Sequence, residues 1–75
     1  MKVEDFIIDV LRPEPHVRAG QRLMTRLAKI KPHLYNAIDG TNIDCFYDDN
    51  RMWTTLEWLY ENWSVEEPQL PRKIY

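Results

Sequence analysis

Four cations recur at helical spacing: Arg18, Arg22, Arg26 and Lys29. Gaps of four, four and three residues place them within about 80° of one another on a helix, the arrangement of a stripe that could follow a phosphate backbone. The same pattern also describes the solvated face of an amphipathic helix. A second cluster, Asp39, Asp44, Asp48 and Asp49, invites a calcium-loop reading and fails it. Counted from Asp39, the sixth place holds Asp44 where glycine is needed, and the twelfth holds Asn50 where a bidentate glutamate is needed. These acids suit helix starts instead, where carboxylates meet the positive end of the dipole. His16 and His33 have no cysteine at zinc spacing, and Cys45 has no base nearby in sequence. No Ser-His-Asp set, glycine-rich phosphate loop or paired-carboxylate cleft can be assembled. The expectation is therefore a non-enzymatic chain with no catalytic residue, no metal and no cofactor.

What remains is recognition. Trp58, with Glu57 and Glu61 beside it, falls opposite the apolar stripe of its own helix, where it is either covered by the N-terminal helix or the tail, or exposed, and exposed tryptophan is enriched at binding hot spots. Trp58, Glu57, Glu61, Asp48 and Asp49 form one candidate partner-binding surface, and the basic stripe forms the alternative. The tail segment Pro68-Gln-Leu-Pro71-Arg72-Lys73 also has the outline of a polyproline ligand.

The elements that must carry these groups are short. Seventy-five residues with three Trp, four Tyr and two Phe make one domain with a thin stability margin. One cysteine allows no internal disulfide and fits a reducing, cytoplasmic setting. No run approaches a membrane span, and the acidic start, with Glu4, Asp5 and Asp9, does not read as a signal peptide. The net charge of −2 conceals a separation: residues 16 to 38 hold five cations and no acid, whereas residues 39 to 67 hold eight acids and one cation. Such polarity can drive self-association or steer a charged partner.

Val3, Phe6, Ile7, Val10 and Leu11 fall on one helical stripe. Phe6-Ile7-Ile8 would suit a strand, but no second strand-like run exists to pair with it, so a first helix is expected up to Arg12-Pro13. The second, from about His16 to Lys31, has Val17, Leu23, Met24, Leu27 and Ile30 inward. Gly20 lies on its apolar side, where it would admit another helix at close range. A short third helix, His33 to Asp39, turns Leu34, Ala37 and Ile38 inward and ends at Gly40. Thr41-Asn42-Ile43-Asp44 resembles a capping box that would begin a single turn with Ile43 and Phe46. The last helix, Arg51 to about Trp63, places Met52, Trp53, Leu56, Leu59, Tyr60 and Trp63 on one stripe. The fold class is all-α: a bundle of three to four short helices over residues 1–63, with an extended, Pro-containing tail over 64–75. The expected core is Phe6, Val10, Leu23, Met24, Leu27, Leu34, Ile38, Phe46, Trp53, Leu56, Leu59 and Trp63.

Gly20-Gln-Arg-Leu-Met24, Pro32-His-Leu-Tyr35 and Gly40-Thr-x-x-Asp44-x-Phe-Tyr-Asp-Asp49-x-Arg51 together resemble a family of short, uncharacterised proteins of phage and prophage gene sets. The likeness covers about residues 18 to 63, and the Gly-Thr-x-x-Asp-x-Phe-Tyr-Asp-Asp core is its specific part. That family often has Pro where this chain has Cys45. The resemblance implies no activity. It does imply a setting, in which a small phage protein in the host cytoplasm binds and alters a host or phage protein. The leading expectation is a protein-interaction module. The alternatives are a nucleic-acid-binding accessory protein using the basic stripe, and a self-assembling protein.

Overall fold

The computed structural model describes residues 1–68, 70 and 71. Among these the chain is all-α, with four helices in the order α1 (Val3–Leu11), α2 (Ala19–Ile30), α3 (Pro32–Ile38) and α4 (Met52–Asn62). A 3-10 turn, Asp49–Arg51, leads into α4.

α1 begins with Glu4 and Asp5 in its first turn, where carboxylates favour the dipole, and buries Val3, Phe6 and Val10. Its C-terminal carbonyls are closed by another helix. Arg26 donates to the Asp9 carbonyl and Arg22 to the Val10 carbonyl, each at 2.8 Å. The chain then turns through Pro13-Glu14-Pro15-His16, with His16 in the left-handed region at φ 64° and a lone β-bridge joining Glu14 and Val17. This turn displaces the start of α2 from the expected His16 to Ala19.

α2 has no side-chain cap from its own first residues. The Asp49 carboxylate, brought in from the 3-10 turn, accepts the Gly20 amide at 3.0 Å. Gly20 is needed for this approach, but its neighbour is the Cys45 backbone rather than another helix. Pro32 ends α2 and starts α3, and Gly40, at φ 76°, ends α3. Leu34, Ala37 and Ile38 are buried as their spacing predicts.

The chain directions follow from the contacts. α2 and α4 start side by side at Gly20 and Asp49, and they end together where Lys31 Nζ meets the Trp63 carbonyl at 3.2 Å and lies 5.0 Å above its ring. α1 starts at Trp63, whose ring packs on Phe6 at 5.1 Å and whose Nε1 donates to the Met1 carbonyl at 2.9 Å. It finishes beside Arg22. α1 therefore runs antiparallel to both α2 and α4. Phe6, Val10, Leu23, Met24, Leu27, Leu34, Ile38, Leu56, Leu59 and Trp63 fill the core.

Two expected core members lie elsewhere. Phe46 is half-buried at the edge, and Trp53 is exposed. The cause is a rotation of α4 about its axis. Thr55 is fully buried, and its hydroxyl donates to the Ile43 carbonyl, with the Arg51 carbonyl 3.0 Å away. The loop carbonyl needs a donor, and burying one without a partner would cost more than exposing part of an aromatic ring. The buried stripe of α4 is thus Met52, Thr55, Leu56, Leu59 and Trp63, while Trp53 and Tyr60 turn outward.

Of the tail, Gln69 and residues 72–75 lie outside the described residues, and so does part of the expected polyproline segment.

Candidate functional site: the seam between α1 and α4

The segment between α3 and α4 is built to satisfy its own backbone. Thr41 Oγ1 donates to the Ile38 carbonyl at 2.6 Å and accepts from the Ile43 amide at 3.3 Å. The Asp44 carboxylate accepts from the Gly40 amide at 2.8 Å and the Phe46 amide at 3.0 Å. This is a turn braced from within. A single turn forms at Thr41-Asp44, closed by the Asp44 amide donating to the Thr41 carbonyl at 3.2 Å, but the Asp44 carboxylate reaches back to the Gly40 amide rather than to Thr41, and the turn does not continue as a helix. Asp48 accepts from the Asn50 amide at 3.0 Å and pairs with Arg51 at 3.5 Å. Asp49 caps α2 and pairs with Arg18 at 3.4 Å. Asp48 and Asp49, two of the sequence candidates for partner contact, thus have structural tasks. No group of three or more His, Cys, Asp or Glu among the described residues could hold a metal ion.

The same carboxylates set the local field. Burial, then Asp39 and Asp44, push the Tyr35 phenol above its ordinary value. Burial pushes the Cys45 thiol up as well. A buried thiol with a raised pKa is a poor nucleophile, which agrees with a packing role for Cys45.

The basic stripe does not stand open as one face. Arg22 is only 6% exposed and is used up on the Val10 and Val17 carbonyls. Arg26 is held by the carboxylates of Asp9 and Glu14. Arg18 donates to the Phe46 carbonyl at 2.9 Å besides pairing with Asp49. Lys29 alone of the four is exposed and unpaired among the described residues. Sequence spacing placed Arg22 opposite the apolar face, but α1 and the turn after it close over that side of α2.

Trp58 is half-buried and packs against the core. Its outer edge shares a shallow cleft with Glu61, Asn62, Leu70 and Pro71, so the tail lies on this flank. Of the two readings left open for Trp58, exposed or covered, the structure has it partly covered, on the side of the tail. Glu57 and Glu61 are exposed and make no ion pair among the described residues.

The open apolar surface lies on the opposite flank of α4. Trp53 is 65% exposed and Tyr60 61%. At about 100° per residue they sit about 20° apart, on the side away from Trp58. Tyr60 lines a cleft with Val3 and Glu4, which fixes α1 as the neighbour on this flank. On α1, the flank turned away from Asp9 and its partner Arg26 carries half-buried Ile7 and exposed Leu11, with Ile8 outermost at 63% exposure. Because the helices are antiparallel, Tyr60 lies level with the first turn of α1 and Trp53 level with its last. Leu11, Trp53 and Tyr60 therefore lie on the facing flanks of the two helices, with Ile8 on the outer face of α1, and all four are exposed. Ile8 could have been found from sequence, since it falls off its helix's stripe. Trp53 and Tyr60 could not, since their outward turn depends on Thr55.

No helix among the described residues is long and apolar enough to cross a membrane. Comparison with protein-family models, with curated proteins and with solved structures matches none of them to this chain.

Proposed function

We propose that this chain is a small, non-enzymatic protein-interaction module that meets its partner along the α1–α4 seam. The observation that carries the reading is the exposure of Trp53 and Tyr60 on one flank of α4, and of Ile8 and Leu11 on its neighbour α1, in a chain with so small a core. Large apolar side chains gathered on one surface mark contact sites, and Trp and Tyr dominate binding energetics there. The seam replaces Trp58, Asp48 and Asp49 as the contact surface, and it keeps Glu57 and Glu61 at its border. The resemblance to short phage and prophage proteins favours a host or phage protein as the partner, with modulation as the outcome of binding.

The nucleic-acid alternative would require the stripe Arg18, Arg22, Arg26 and Lys29 to act together. The burial of Arg22 and the ion pairs of Arg18 and Arg26 weigh against it. A pull-down from host lysate, with and without nuclease, tests the two readings. The baits are the wild type, Trp53→Ala/Tyr60→Ala and Arg18→Ala/Lys29→Ala. The seam reading expects a protein that survives nuclease, is retained by the Arg18/Lys29 variant and is lost with the Trp53/Tyr60 variant. Retention that vanishes with nuclease would overturn it.

A further inference from the structure

We propose that the seam receives a cationic amphipathic helix of the partner protein. This rests on the reading of the seam as the contact surface, and adds to it the chemistry of the occupant.

Charge makes the first argument. α1 and α4 carry Glu4, Asp5, Asp9, Glu57 and Glu61, and neither helix contains a single Lys or Arg. Arg26 neutralises Asp9. Asp5, one turn before Asp9, shares its flank and faces away from the seam. Glu4, Glu57 and Glu61 remain exposed, and among the described residues none of the three makes an ion pair. Lys2 lines the cleft at the first turn of α1 and Arg12 follows its last turn, and between these two cations the charged side chains along the seam are acidic. Apolar side chains set in an acidic border complement a segment with apolar anchors and cationic flanks, and repel nucleic acid and anionic membrane surfaces alike.

Shape makes the second argument. Two antiparallel helices leave a linear trough between them, and the apolar face of a third helix fits such a trough with anchors at i, i+3 or i+4, and i+7. Trp53 and Tyr60 are seven residues apart, a rise of about 10.5 Å, which matches two turns of an incoming helix.

A second copy of this chain is a poorer occupant. A two-fold contact through the seam would bring Glu57 and Glu61 of both copies together, and opposed like charges disfavour association.

The test uses the full chain and three synthetic helical peptides: an amphipathic Leu/Lys helix, the same helix with Glu for Lys, and a scrambled Leu/Lys peptide without helical periodicity. Binding is followed by fluorescence anisotropy of labelled peptide at low salt. The Leu/Lys helix should bind, the scrambled peptide about tenfold more weakly, and the Leu/Glu helix more weakly still. Trp53→Ala should weaken the Leu/Lys helix by about thirtyfold, the loss typical of a hot-spot residue. Glu57→Lys/Glu61→Lys should invert the preference between the Lys and Glu peptides. All three positions are exposed, so these variants should unfold as the wild type does.

Equal binding of the Lys and Glu helices, binding indifferent to Trp53→Ala or to scrambling, or no binding of the Leu/Lys helix would overturn the proposal. So would self-association that Trp53→Ala abolishes. If the pulled-down partner is lost with Trp53→Ala/Tyr60→Ala but retained by Glu57→Lys/Glu61→Lys, the seam remains the contact surface and the cationic occupant is rejected.

Discussion

Replacing Gly20 with alanine should destabilise this protein, although the same change in an ordinary helix stabilises it. At an exposed helical site alanine gains about 1 kcal/mol over glycine. At Gly20 the added methyl would stand 2.8 Å from Asp49 Oδ1, 3.0 Å from the carbonyl carbon of Cys45, and closer still to the Cys45 oxygen. Two of these atoms are backbone and cannot swing aside. Relief requires the 45–49 loop to retreat from α2, which also stretches the 3.0 Å hydrogen bond from the Gly20 amide to Asp49. Overpacking costs about 1–3 kcal/mol and a lost helix cap about 1 kcal/mol. Set against the propensity gain, the net loss is about 2 kcal/mol. For a domain of this size that lowers Tm by roughly 8–16 °C. Thermal and urea unfolding measure it, with Thr25→Ala, exposed on the same helix, as the control that should hold or gain up to about 0.7 kcal/mol. If Gly20→Ala is as stable as the wild type, the loop does not press on α2 as described.

Arg22→Met should cost about 2–3 kcal/mol, because it strands the buried Val10 carbonyl, whereas Lys29→Ala should stay within about 0.5 kcal/mol of the wild type. Equal effects in urea unfolding would refute the division of the stripe. Thr55→Val keeps the volume and removes the donor to Ile43, so it should cost about 1–3 kcal/mol, and Thr55→Ser should restore most of it. The buried Cys45 thiol holds its proton more tightly in the folded chain than in the unfolded one. Its contribution to stability is therefore complete below the ordinary value of 9.0 and is lost as pH climbs toward the higher folded value. Stability above pH 9.0 should fall more steeply in the wild type than in Cys45→Ala, and parallel slopes would refute the assignment.

Much of the scaffold was legible in the residues themselves. Periodicity located all four helices, and Pro32 and Gly40 marked joints where local chemistry alone decides the outcome. The errors arose where distant groups decide it. The start of α2 moved because the Pro15-His16 turn and the Glu14–Val17 bridge took up its expected first turn. Arg22 looked like a surface cation because its spacing matches Arg18 and Arg26, and nothing local announces that α1 ends against it. The candidate site suffered most. The stripe on α4 was displaced by one buried threonine whose partner, Ile43, is twelve residues away. That rotation exchanged the roles of the tryptophans, placing Trp58 on the core and tail flank and Trp53 in the open. Glu57 and Glu61 are exposed as their helix face predicts, since an exposed face requires no partner to stay exposed.

The most direct test of the central claim is site-specific photocrosslinking in cells that express the protein. A benzophenone side chain would be placed in turn at Trp53, at Tyr60 and, on α2, at Lys29. Crosslinks to one protein from positions 53 and 60, and none from 29, are the predicted result. Crosslinks from position 29 without any from 53 or 60 would place the partner on the basic face and contradict the seam.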